Sequence, residues 1–211
     1  MQNLRPLKLN LDGKSPDIVQ SWLHNQTDDV RRVTYIENGE VYQKPYVEEG
    51  AYVDPTAQVL GGVIIKKGCY VGPNAVIRLD EKPSPEPLII GEYTNIQDCA
   101  VVHSTSQSIG RRVIVAHQAI VHGATVEDAV TIYIQSVVDG GGTVIGKGSF
   151  LHQGVYVGKG IRIAPNRYIA PGSKILTQRE ADKLPDVTRA TRAIAEHVLE
   201  LNAGHVKRYL D

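Results

Sequence analysis

A six-residue apolar period fixes more of this chain's fold than any other feature. Val53, Val59, Ile65, Val71 and Ile77 stand six residues apart, and so do Ile90, Ile96 and Val102. The phase then resets. The spacing resumes in Ile109, Val115 and Val121, in Val126, Ile132 and Val138, and in the run Ile145, Leu151, Val157, Ile163, Ile169 and Ile175. All of these are β-branched except Leu151. A helix repeats near 3.6 residues and a half-buried strand at 2, so neither generates this pattern. Short strands joined by tight corners do, with three hexads to a triangular turn and the apolar residue of each hexad pointing inward. Turns so built stack at about 4.8 Å, the spacing of paired strands. The chain is expected to be an all-β solenoid, a parallel β-helix.

Composition agrees. There is one Phe, one Trp and one Met against 20 Gly, which suits a thin core filled by Val and Ile. Glycine directly follows the inward residue at Gly91, Gly110, Gly146 and Gly158, where it is expected to ease a corner. The solenoid is assigned to residues 46–177, between an N-terminal extension (1–45) and a C-terminal helical segment (178–211). In the extension, Ser15-Pro16 caps a short helix through Ile18, Val19, Trp22 and Leu23. A hairpin from Arg32 to Tyr42 turns on Asn38-Gly39. From Thr188 to Tyr209, Ile194, Val198, Leu201 and His205 recur at helical spacing. They predict a helix that lays that face on the solenoid and caps it.

Lys+Arg and Asp+Glu are both 23, so nothing in the charge points to nucleic acid or to an anionic membrane. No run of 18 apolar residues exists to span a bilayer. The N-terminus lacks the apolar core of a signal peptide. Two cysteines, Cys69 and Cys99, make no disulfide framework and fit a reducing cytoplasm.

The polar residues acquire meaning in hexad coordinates. Arg78, His103, His122 and Asp139 each follow the third apolar residue of a triplet, so they stack in one column a turn apart. His103 and His122 are then near enough to share a metal ion at about 2.0–2.1 Å. His117 belongs to the preceding hexad and lies on another side of the triangle, one turn after Asp98. It cannot reach the same ion within one chain, but a neighbour related by a three-fold axis can supply it. The expectation is a homotrimer with three interfacial sites. Three neutral imidazoles leave an open position on the ion, the catalytic rather than the structural pattern. Water there becomes a nucleophile near neutral pH. Imidazole suits zinc, iron or cobalt, and zinc is the first choice. The residues alone therefore indicate metal-assisted hydration or hydrolysis of an unspecified small electrophile.

Ala116-His117-Gln118-Ala119-Ile120-Val121-His122-Gly123 and Asn95-Ile96-Gln97-Asp98-Cys99-Ala100-Val101-Val102-His103 resemble the metal motifs of the gamma-class carbonic anhydrases. Ile77-Arg78-Leu79-Asp80-Glu81 resembles that family's Arg-x-Asp-Glu stretch. Arg167-Tyr168-Ile169-Ala170-Pro171-Gly172 and the segment Glu180 to Val187 resemble its exit into the C-terminal helix. The similarity runs from about Tyr46 to Tyr209 and extends to the family's carboxysomal relatives. It implies a left-handed β-helix and reversible hydration of CO2 to bicarbonate, with His103, His117 and His122 as ligands. It also implies Gln97 and Asp80 as hydrogen-bond partners of the reacting water, Asn202 as an active-site amide, and an Arg78–Asp98 ion pair across the subunit interface. Many members carry an acidic, proton-shuttling loop after the first ligand. Here Ser104-Thr105-Ser106-Gln107-Ser108 is short and uncharged, as in the short-loop branch, which leaves Glu81 as proton carrier. The same fold also serves hexapeptide acyltransferases, which use one interface histidine and no metal. A metal-dependent thioesterase and a non-catalytic scaffold are further alternatives.

Overall fold

The computed structural model describes residues 32–79, 86–103 and 108–210, together with the backbone of two short strands, Leu4–Arg5 and Leu7–Leu9. Among them runs a parallel β-solenoid of three walls. On the first wall Val59, Ile77, Val102, Val121, Val138, Val157 and Ile175 stand in register. The second aligns Val47, Ile65, Ile90, Ile109, Val126, Ile145 and Ile163. The third aligns Val53, Val71, Ile96, Val115, Ile132, Leu151 and Ile169. All of these but the half-buried Val47 lie within one buried core. The hexad period is thus the register of the ladder, with each inward residue resting on its equivalents one turn away.

The glycines act differently from the expectation. Gly91, Gly110 and Gly146 do not have positive φ; that conformation falls two residues later, at Tyr93, Arg112 and Gly148. What excludes a side chain at these glycines is the neighbouring turn. A Cβ on Gly110 would lie 2.6 Å from the Asp128 nitrogen, and one on Gly91 would lie 2.5 Å from the Gly110 carbonyl carbon. Successive turns therefore approach closely where the second wall bends into the third.

The hairpin forms as expected: Thr34–Glu37 pairs antiparallel with Glu40–Gln43, and Asn38 and Gly39 both have positive φ, the type I′ signature. Leu7–Leu9 adds to the hairpin, and Leu4–Arg5 pairs parallel with the first wall at Val59-Leu60. The extension thus covers the open ladder edge of that wall, the kind of edge that otherwise recruits other strands. The short helix expected at 15–23 lies outside the described residues.

At the other end, Thr177 and Glu180 form a capping box for helix α1, Gln178–Ala181, which packs on the last turns. Helix α2, Arg189–Leu210, then runs back along the third wall. Its existence and length match the sequence, but its packed face does not. Leu199, Asn202 and Val206 are buried, with Ala195 and Val198 half-buried beside Ile114 and Ala116. Ile194 and Leu201 are exposed. The helix is rotated by about one residue relative to the expected stripe, because Leu199 seats against Ile114 of the wall. None of the described helices is long and apolar enough to cross a membrane.

Candidate metal centre

The first wall carries two outward columns. One is apolar: Val76, Val101, Ile120 and Val137, in register on successive turns. Ile120 is 37% exposed, a high value for isoleucine in a solenoid wall. Two residues on, where alternation again points outward, lies the second column. Arg78 pairs with His103 and His103 with His122. The His103 and His122 rings are 5.2 Å apart between centroids and tilted by 36°.

Asp139 completes this column. The His122 Nδ1–H donates to Asp139 Oδ1 at 3.2 Å, while the Gly140 N–H donates to the same oxygen at 2.8 Å. The His122 bond, aided by Gly140, holds the Asp139 carboxyl below the usual carboxylate range. With Nδ1 so occupied, His122 has Nε2 left to coordinate. That is the arrangement in which a carboxylate fixes a ligand's tautomer and ring orientation. Asp139→Ala is therefore expected to weaken metal binding about 10–100-fold, as loss of such a partner typically does. A chelator-competition titration measures this.

His117 stands elsewhere, at the corner where the third wall turns into the first. Its Nδ1 lies 3.3 Å from Asp98 Oδ2, one turn below. About half of each side chain is exposed. The pattern seen at His122 recurs: Nδ1 faces a carboxylate and Nε2 is free to coordinate. Gln97, beside Asp98, is buried. Asn202 is buried in the face of α2 that covers the third wall, its Nδ2 donating to the Val198 carbonyl at 2.9 Å.

The sequence-identified residues thus form two groups. Arg78, His103, His122 and Asp139 mark one edge of the first wall; Gln97, Asp98 and His117, with Asn202 on the helix nearby, mark the other. The apolar column lies between them. Asp80 and Glu81 lie outside the described residues. Among the described residues no three His, Cys, Asp or Glu side chains converge within one chain. The donor chemistry nonetheless fits a metal of the zinc class: His117 and His122 are about half exposed, outward and oriented by carboxylates, and the His103 ring lies beside that of His122. Asp139 is the one participant whose role the sequence left open, although its place seventeen residues after His122 put it in the column.

Comparison with known proteins agrees with this picture. The profile of the bacterial transferase hexapeptide (six repeats) family matches residues 44–78. The carboxysome assembly protein CcmM of a Nostoc species is 32% identical over 178 residues, covering 78% of this chain and 31% of that protein. The carbonic anhydrase of Methanosarcina thermophila is 34% identical over 167 residues, covering 68% of this chain and 65% of that protein. The chain thus spans about a third of one curated relative and just under two thirds of the other. A solved Bacillus cereus protein described as an acetyltransferase superposes with a TM-score of 0.66 at 26% identity, over 79% of this chain and 91% of that one. The repeat, the register of its walls and these relatives together make the chain a hexapeptide-repeat solenoid similar to the gamma-class carbonic anhydrases.

Proposed function

We propose that the chain is a metal-dependent carbonic anhydrase working as a homotrimer. His103 and His122 of one copy and His117 of the next would hold zinc, or iron or cobalt in its place. The observation that carries this reading is the pair of outward imidazoles one ladder step apart, with carboxylates behind His122 and His117. An apolar column between the two histidine edges gives a second copy something to bury. When bound, the ion supplies Lewis-acid activation of a water. The chain supplies the rest. Asp139 and Asp98 keep Nε2 of His122 and His117 facing outward. Gln97, with Asp80 as the family resemblance implies, would orient the reacting water by hydrogen bonds. Val101 and Ile120 line the approach with apolar surface, which suits an uncharged linear gas and keeps competing water out. Asn202 would offer an amide to the oxygen of CO2 or bicarbonate. Cys69 and Cys99 are both unpaired, and we place the protein in a reducing cytoplasm.

The reading is tested by stopped-flow CO2 hydration on metal-analysed trimer, prepared with zinc and, anaerobically, with iron. Activity should rise in proportion to bound metal. A fully loaded trimer with no hydration under either metal would sink the proposal. It would favour a non-catalytic scaffold, in keeping with a relative named as a carboxysome assembly protein, with the N-terminal sheet as a docking element.

A further inference from the structure

Each CO2 hydrated releases one proton along with bicarbonate, and that proton has to reach buffer before the site can turn over again. We propose that His205 carries it, from the Asp98–Tyr70 side of the site to solvent; the inference rests on the carbonic anhydrase reading above. His205 lies on α2, three residues after Asn202. Its Nδ1 is buried and no protein group bonds it, although the residue as a whole is only half-buried. A buried ring nitrogen without a partner calls for a physical explanation, and a side chain that reaches both the interior and the surface supplies one. Imidazole is the side chain whose charge ordinarily changes between pH 5 and 8.

The surroundings connect this ring to the site. His205 faces Tyr70 at 5.8 Å between ring centroids and Tyr209 at 5.8 Å, and Tyr209 in turn meets Tyr52 at 4.9 Å. Beyond these phenols stand two carboxylates, Asp98 on the Tyr70 side and Asp54, which accepts from the Tyr52 hydroxyl at 3.3 Å. Tyr70 leads toward the metal. A Cβ placed on Gly72 would lie 2.6 Å from Asp98 Oδ1 and 3.1 Å from Tyr70 Cε1. The Tyr70 ring and the Asp98 carboxylate therefore both border the space over Gly72, which has no side chain to fill it. Asp98 in turn lies beside His117. Burial, reinforced by Asp98, pushes the Tyr70 hydroxyl up to about 12, so it passes protons as a neutral group without becoming a trap. From Tyr70 to the turn carrying His117 is two ladder steps, about 10 Å, a span that one or two waters bridge.

The step balances simply. CO2 and water give bicarbonate and a proton. The proton adds to the inward nitrogen of His205, the outward nitrogen releases its own to buffer, and ring rotation or exchange restores the starting tautomer.

The test uses the intact metal-loaded trimer carrying His205→Gln, His205→Ala or Tyr70→Phe, with trimer and metal content checked first. In dilute, non-imidazole buffer, His205→Gln is expected to lower kcat by about tenfold or more. Added imidazole should restore it, with kcat/KM for CO2 unchanged. Tyr70→Phe, which keeps the ring stacking, should show a smaller loss of the same kind. In metal-free protein, the His205 ring N–H should exchange with solvent faster as imidazole buffer is added. Unchanged kcat in dilute buffer overturns the proposal. So does a loss that imidazole does not rescue, or a ring N–H whose exchange the buffer leaves unchanged. A buffer-dependent loss produced by Glu81→Ala while His205→Gln is silent also overturns it. Wild-type trimer without CO2 hydration would overturn the functional reading with it; active wild type with an indifferent His205 overturns the carrier alone.

Discussion

Alanine at His103, His117 or His122 is expected to strip nearly all bound metal from the trimer, and mixing the right pair of variants should bring part of it back. With two imidazoles in place of three, zinc loses a third of its protein ligands. The complementation pattern reports which chain each ligand comes from. In a trimer of His103→Ala and His117→Ala copies, every mixed assembly has one interface of its three at which an intact His103–His122 edge meets an intact His117. Metal should return at about one site per mixed trimer. His103→Ala mixed with His122→Ala should return none, since those two ligands share one edge and every copy lacks one of them. Metal analysis after unfolding, mixing and reassembly gives the answer. Recovery in the second mixture, or none in the first, would overturn the shared site.

Much of this site was legible because a solenoid converts sequence spacing directly into spatial neighbours. Once the hexads are phased, the ladder pairing of Arg78 with His103 and of His103 with His122 follows from counting. The separation of His117 from them and its contact with Asp98 follow in the same way. Counting fails where the determinant is not periodic. The glycines after Ile90, Ile109 and Ile145 read as corner-easing residues, whereas the neighbouring turn's backbone is what excludes their side chains. Seeing that needs the approach distance between turns, which no single turn encodes. The packed face of α2 was misread by about one residue. Ile194 and Leu201 are larger than Ala195 and match helical spacing, but which stripe docks depends on the wall it meets, here Ile114 and Ala116. The partner of His122 was visible only as an unexplained acidic residue in the column, because a stacking rule reports adjacency and not which nitrogen is bonded. His205 was read as packing residue alone, since its unbonded nitrogen depends on Tyr70 and Tyr209 closing around it. The pairing of Leu4–Arg5 with the first wall joins segments more than fifty residues apart and has no repeat to announce it.

Removing either Arg78 or Asp98 should dissociate the trimer on dilution, and removing both should cost less than the sum of the two. Arg78 shares the outward column with His103, and Asp98 marks the opposite edge of the same wall with His117. A three-fold assembly with parallel solenoids that brings His117 of one copy to the His103–His122 edge of another also brings Asp98 to Arg78. Asp98 can serve two partners, because its Oδ2 faces His117 while Oδ1 turns toward Gly72 and Tyr70. In the isolated chain its side chain is 48% exposed, so the charge is hydrated until a second copy covers it. Covering it without a counter-charge leaves a buried ion unpaired, which costs about 3–5 kcal/mol. On that scale Arg78→Ala or Asp98→Ala weakens each interface by roughly two to four orders of magnitude in dissociation constant. The double variant leaves no charge to strand and should recover much of that loss. Sedimentation across a dilution series of wild type, both single variants and the double variant closes the cycle. Strictly additive losses would show that the two residues do not meet. Two single variants that stay trimeric at nanomolar concentration would show that this edge of the wall is not where the copies join.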